Sequence, residues 1–329
     1  MKLFLKSSFW ILGGLSMLLS SCATMKHSET SDNIRESYST NMPAYIIYDK
    51  NGKMVTYDDM MTDLVDRQVV LFGEMHNDAI SHWLEDLVLR DLYEAHDDQL
   101  VVGCEMWESN GQALLDSLYS GKIKRADYLK HATMWPNAET DYLPLLDFCL
   151  KRDIPFVGTN LPAVLAHYVA LKGPDILNQM PDKVKKLLAP TPYHFDLSQP
   201  AYTHMAAGLP SDEEWLAKKN AGTLGNSPMD KFLPTFMIQA QACRDATMAY
   251  HIVQRLTDQD KRFFHFNGEM HSGGNTGICY YLRYYKPDVD MGTISVQKMR
   301  NPLKFNAETS SRADYNIIVP QSMYVSYKQ

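Results

Sequence analysis

The chain has 329 residues, with 39 acidic against 32 basic side chains and a net charge of −7. Its acids and bases are interspersed, with no basic stripe, and this excludes nucleic acid as a partner, because phosphate binding needs clustered Lys and Arg. The length is enough to bury a sizeable core, either as one large domain or as a domain with a substantial insertion.

Lys2 and Lys6 precede the apolar run Phe9–Leu19, which is too short to span a bilayer but matches a signal-peptide core. The run ends in Leu19-Ser20-Ser21-Cys22, which resembles a bacterial lipoprotein cleavage box. Residues 1–22 therefore read as a lipoprotein signal peptide with Cys22 as the lipidation site. The expected location is a bacterial cell envelope, lipid-anchored to a membrane and facing the periplasm or the exterior. Residues 23–43 carry Ser and Thr without apolar periodicity and read as a flexible tether, leaving 44–329 as the folded domain.

Ala44–Tyr48 and Lys53–Tyr57, joined by Asp49-Lys50-Asn51-Gly52, predict a β-hairpin at the edge of a sheet, because Asn-Gly supplies the positive φ angles of a tight turn. Thr56–Asp66 has helical spacing and leads into the strand Val69–Phe72, which ends at Gly73-Glu74-Met75-His76. In Ile80–Leu92 the residues Ile80, Trp83, Leu84, Leu87, Val88 and Leu92 share one helix face. A second strand, Gln99–Cys104, ends at Glu105-Met106-Trp107. A third, Ile154–Gly158, ends at Thr159-Asn160-Leu161-Pro162 before the helical run Ala163–Leu171. The fourth, Lys261–Asn267, ends at a second copy of the tetrapeptide, Gly268-Glu269-Met270-His271. Gly273–Gly277 then allows close backbone approach to a ligand, or a tight turn into the helix Ile278–Tyr284. Ala313–Val319 with Met323–Tyr327 suggests one or two closing edge strands. The alternation predicts an α/β fold: a mainly parallel sheet flanked by helices, with an N-terminal β-hairpin and a helical cap subdomain from insertions at about 111–150 and 175–256.

Glu74, His76, Glu105, Asn160, Glu269 and His271 all fall at the carboxyl ends of predicted strands, where open α/β sheets bind their ligands. Imidazoles and carboxylates held together serve general acid–base chemistry, or ligate zinc, manganese or iron. Singly, each has a plainer explanation as a helix cap or a buried, hydrogen-bonded histidine. His82 would begin the next helix, close enough to join such a site, although a surface position is the alternative. Arg244-Asp245 reads either as a pair that orients the site's side chains or as an exposed ion pair. In the cap, Tyr193, His194, Tyr202 and His204, with the pair His167-Tyr168, offer ligands for haem iron, or are packed aromatics. Cys104, Cys149, Cys243 and Cys279 lie in apolar runs without zinc-type spacing, and buried free thiols are expected. No serine sits in a nucleophile-elbow context, which disfavours a serine hydrolase.

Taken in order, Leu71–His76 with His82, Gly103–Trp107, Gly158–Pro162, Gln241–Met248 and Gly268–His271 resemble the ChaN family over nearly the whole mature chain. The resemblance implies a haem-binding lipoprotein of haem or iron acquisition, with an α/β domain, a helical subdomain and a homodimer sharing the cofactor. The same kinship, to Tiki and TraB proteins, implies a rival reading as a metal-dependent hydrolase or protease. In that reading Glu74, His76, Glu105, Glu269 and His271 carry the chemistry, and Glu74, His76, Glu269 and His271 hold the metal. Whether the chain is an enzyme stays open at this point.

Overall fold

The computed structural model describes residues 43–327, so the signal peptide, Cys22 and residues 23–42 of the tether lie outside the described residues. The strands are β1 (Ile46–Asp49), β2 (Met54–Val55), β3 (Val69–Glu74), β4 (Leu100–Glu108), β5 (Phe156–Asn160), β6 (Arg262–Gly268), β7 (Met291–Met299) and β8 (Tyr315–Pro320). They form one sheet in the order β2-β1-β8-β7-β3-β6-β4-β5. β1 pairs antiparallel with β2 and β8, and every other pairing is parallel.

The strand segments are apolar on both faces because helices cover both. Val70, Phe72, Val102, Phe264 and Phe266 pack on one side with Leu84, Val88 and Tyr142. Val69, Leu71, Val101 and Phe263 pack on the other with Cys243, Ala246, Met248 and Ile278. The first core rests on α1 (Tyr57–Leu64), α2 (Ala79–His96), α3 (Gln112–Tyr119) and α4 (Leu143–Lys151), and the second on α5 (Ala163–Lys172), α6 (Pro234–Val253) and α7 (Ile278–Tyr285). Local signals set the helix starts: Thr56 and Asp59 form a capping box at α1, and Asp78 accepts the Ile80 and Ser81 N–H groups at α2.

The α/β architecture, the mainly parallel sheet and the edge hairpin are as the sequence predicts. Four details differ. Residues 291–299, given no element from sequence, form β7, a central strand whose Thr293, Ser295, Gln297 and Lys298 dilute the apolar run. β8 is not an edge strand, since it lies between β1 and β7, and of Met323–Tyr327 only Val325 makes a β-bridge, to Asp78. The buried face of α2 is rotated from the expected one: Trp83 is 48% exposed, whereas His82 and Glu85 are buried. Finally, the 175–256 stretch is not all cap, because its last helix, α6, packs on the sheet through the second core. The four described cysteines are buried free thiols, and no helix among the described residues is long and apolar enough to cross a membrane.

Candidate functional site

The two tetrapeptides end adjacent strands, but they are offset by one residue: Glu74 pairs with Gly268 and Gly73 with Asn267. Side chains alternate faces along a strand, so the offset separates the two glutamates. Glu74 falls on the face of the first core. Glu269 leaves on the face of Gly73 and Ser295, where it accepts a hydrogen bond from Ser295 Oγ at 3.1 Å and is paired with Arg312. Glu269 is thus not part of the cleft, contrary to the expectation from the repeat.

The remaining residues do converge. Glu74 Oε1 accepts the Tyr142 hydroxyl at 2.6 Å and faces His76 Nδ1 at 2.7 Å. His76 Nε2 lies over the end of β6, and a Cβ on Gly268 would come within 2.6 Å of it and 3.3 Å of Glu105 Oε2, so a larger residue there would displace the His76 ring. Glu105 Oε2 accepts the Gly268 N–H at 2.7 Å, and Glu105 Oε1 stands 3.2 Å from His271 Nε2. His271 Nδ1 is bonded to Asp245 Oδ1, and Asp245 Oδ2 accepts the Tyr202 hydroxyl at 2.7 Å. The Gln241 amide closes over the His271 ring at 3.0 Å. Asn160 donates to the Glu105 carbonyl at 2.9 Å and accepts from Arg244 at 3.3 Å, which braces the end of β4.

Burial opposes charge on all these groups; pairing overrides it at His271, Glu105, Glu74 and His76, whereas at Asp245 burial prevails over the His271 and Tyr202 contacts and pushes the carboxyl up. For His271, burial pulls the pKa down, but Glu105 and Asp245 outweigh it and hold the ring at about 10. Burial pushes Glu105 up, yet His271, His76 and the Gly268 N–H hold it well below the usual carboxylate range. Glu74, pushed up by burial, is held at about 2 by His82 and His76. Burial lowers His76, and Glu74 and Glu105 more than offset this. His271 is thus an imidazolium with both ring nitrogens committed to carboxylates, while His76, held through Nδ1 by Glu74, keeps Nε2 at the site's edge, where it can meet an oxygen of a ligand. His76, with 18% of its side chain exposed and its ring 4.9 Å from Trp135, forms the accessible edge.

A second cluster lies behind Glu74. His82 Nδ1 is 3.0 Å from Glu85 Oε2 and 3.8 Å from Glu74 Oε2, and His82 Nε2 faces Asp141 Oδ2 at 3.4 Å. Burial and the neighbouring Glu74 push the Glu85 carboxyl well above its ordinary range. Among the described residues, the side chains close enough together to hold a metal are Glu74, His82 and Glu85, not the expected set of Glu74, His76, Glu269 and His271.

The cap residues scatter. Tyr193 is buried with its hydroxyl 2.9 Å from Thr247 Oγ1, and Tyr202 is buried on Asp245, so neither hydroxyl is available as an iron ligand. His204 is exposed on the short helix Pro200–Ala207. His194 is exposed, with its ring 5.0 Å from that of Tyr284 at 4° and its Nε2 3.0 Å from the Tyr280 hydroxyl. Sequence reasoning missed Glu85, Asp141, Tyr142 and Gln241. Two of them carried a signal: His82 and Glu85, and Gln241 and Asp245, are spaced three and four apart on helices, which puts each pair on one face.

The model of the family described as haem-binding uptake, Tiki superfamily, ChaN matches residues 60–282. No curated protein matches the chain. Among solved structures, the chain is similar to one described as cofacial heme binding to ChaN of Campylobacter jejuni, with a TM-score of 0.59, 17% identity, and coverage of 84% of this chain and 96% of that one. A mutant of the erythromycin esterase EreC in its open conformation aligns with a TM-score of 0.42 at 13% identity, over 84% of this chain and 83% of its own. A succinoglycan biosynthesis protein aligns with a TM-score of 0.42 at 12% identity, over 74% and 70%. The first of these likenesses speaks for the fold; the other two are too distant to carry an argument.

Proposed function

The chain belongs to the ChaN family of the Tiki superfamily, described as haem-binding uptake proteins, and from this we propose that it binds haem and serves haem or iron acquisition as an envelope lipoprotein anchored through Cys22. The family match carries this reading. Haem needs one or two axial ligands and apolar contact for its ring. Among the described residues, the exposed imidazole of His194 beside Tyr280 and Tyr284 fits that need, with iron coordination as the chemistry the bound group supplies. The solved Campylobacter jejuni relative is described as binding heme cofacially. An exposed ligand on a surface patch suits that arrangement across a homodimer, with the haem shared between two copies.

The test is a visible-absorbance titration of haemin into the wild-type chain and into His194→Ala and Tyr284→Phe. A saturable, shifted Soret band that is lost or moved in His194→Ala supports the assignment. A wild type without a saturable band refutes haem binding, and an unchanged band in His194→Ala moves the ligand elsewhere, with His204→Ala next in turn. Incorporation of labelled palmitate into the wild type, but not into Cys22→Ser, tests the anchor.

The cleft supports a second reading, a hydrolase working through Glu74, His76, Glu105 and His271. The observation in its favour is that two imidazole–carboxylate sets meet around Gly268, whereas haem iron has no use for so many acids. Hydrolysis of an ester or peptide panel that disappears in Glu105→Gln with haemin binding intact would support it. A wild type inactive on the whole panel would count against it.

A further inference from the structure

We propose that Glu74, His82 and Glu85 form a binding site for a divalent first-row cation, zinc or manganese, buried between the end of β3 and the first turns of α2. Their candidate donor atoms lie within 4.8 Å of one another, and all three residues are buried. Ligands held ~2.0–2.2 Å from a cation stand ~3.3–3.6 Å apart, so only small side-chain shifts are needed to close the set. One imidazole with two carboxylates is a donor set these cations accept.

Independent support comes from the oxygens left over. Glu74 Oε2 and Glu85 Oε1 are buried without a hydrogen-bond partner. Glu74 Oε1 is already occupied by Tyr142 and His76, and Glu85 Oε2 faces His82. Two buried carboxyl groups that face each other with no donor between them must share either a proton or a cation, and a cation satisfies both oxygens at once. The surroundings also fix the ligating imidazole: with Nδ1 turned to the carboxylates, Nε2 faces the His76 carbonyl at 3.2 Å and Asp141 Oδ2 at 3.4 Å. A backbone carbonyl or carboxylate on the far ring nitrogen is the arrangement that sets tautomer and orientation in metal-bound histidines. The Asn137 amide donates to both of those acceptors, each at 2.8 Å, and so holds them in place. The site is separate from the His271 side of the cleft, and the proposal stands whether or not haem binds.

The experiment uses the full chain purified in mild detergent, stripped with a chelator, then dialysed against micromolar zinc or manganese chloride. Metal per chain is counted by plasma mass spectrometry, with circular dichroism alongside. The expected result is stoichiometric retention in the wild type and in His271→Asn, with ~10- to 100-fold weaker retention in Glu85→Gln and His82→Gln. A folded wild type that retains no metal overturns the proposal and leaves Glu74 and Glu85 sharing a proton. Undiminished retention in Glu85→Gln and His82→Gln overturns it too, as does loss confined to His271→Asn, which would place the ion in the cleft. Should the Glu85 and His82 variants fail to fold, X-ray absorption at the zinc edge of the wild type decides: one imidazole among oxygen ligands supports the site, and two imidazoles overturn it.

Discussion

His271 should make the fold sensitive to alkali in a way a single substitution removes. Its pKa stands at about 10 against 6.5 for the free side chain. Between those values the folded ring keeps a proton that the unfolded chain has released. The folded state then binds more protons, so stability falls by ~1.4 kcal/mol for each pH unit in that window. The contribution is fully present below pH 6.5 and is lost as pH rises through about 10. Taken over the whole window it approaches roughly 5 kcal/mol. Glu105 is ionised in both the folded and the unfolded chain throughout this window, so its own lowered pKa adds nothing to the slope here. Urea unfolding of wild type and His271→Gln from pH ~6 to ~10 reads it out. The variant should be less stable at the acid end, where Glu105 and Asp245 lose the cation between them, and should show a flatter pH dependence. If wild type and variant lose stability in parallel, the ring is not held charged by Glu105 and Asp245, and the electrostatic account of the cleft fails.

Three further outcomes follow from the same geometry. Tyr202→Phe removes the hydroxyl bonded at 2.7 Å to buried Asp245, and should cost ~1–3 kcal/mol in urea unfolding; an unchanged midpoint would mean the bond contributes nothing. Gly277 has φ +56, and a Cβ there would lie 2.3 Å from the His271 carbonyl oxygen, so Gly277→Ala should lower stability by ~2 kcal/mol or more. Gly274→Ala, with its nearest contact at 4.0 Å, should be milder, and equal effects would contradict the crowding. Glu269→Gln breaks only the partly exposed pair with Arg312, so it should cost ~1 kcal/mol or less and leave metal retention unchanged. Loss of metal in that variant would return Glu269 to the site.

Parallel strands buried on both faces announce themselves as short apolar runs, and Val69–Phe72, Gln99–Cys104 and Lys261–Asn267 did so together with the strand ends that carry the cleft. β7 did not, because Thr293 and Ser295 are buried polar residues whose partners, Asp314 and Glu269, are set by tertiary packing. The repeated tetrapeptide was legible as two strand ends meeting, but identical letters implied equivalent roles. Register, which a single sequence does not carry, paired Glu74 with Gly268 and gave the second histidine Glu105 and Asp245 instead of its own neighbour. Glu85 was hidden for a related reason: on an amphipathic helix a glutamate between Leu84 and Val88 reads as solvent-facing until the side chains opposite it, Glu74 and His82, are known.

Glu74 is the shared wall of two compartments. One of its oxygens serves His76 and the cleft, and the other turns toward His82 and Glu85. A carboxylate in that position makes the two sides thermodynamically dependent: a cation or proton gained behind Glu74 weakens its hold on His76, and an anion seated against His76 changes affinity on the buried side by the same factor. The occupancy of the buried His82–Glu85 cluster and the charge at the exposed edge of His76 are therefore linked across one side chain.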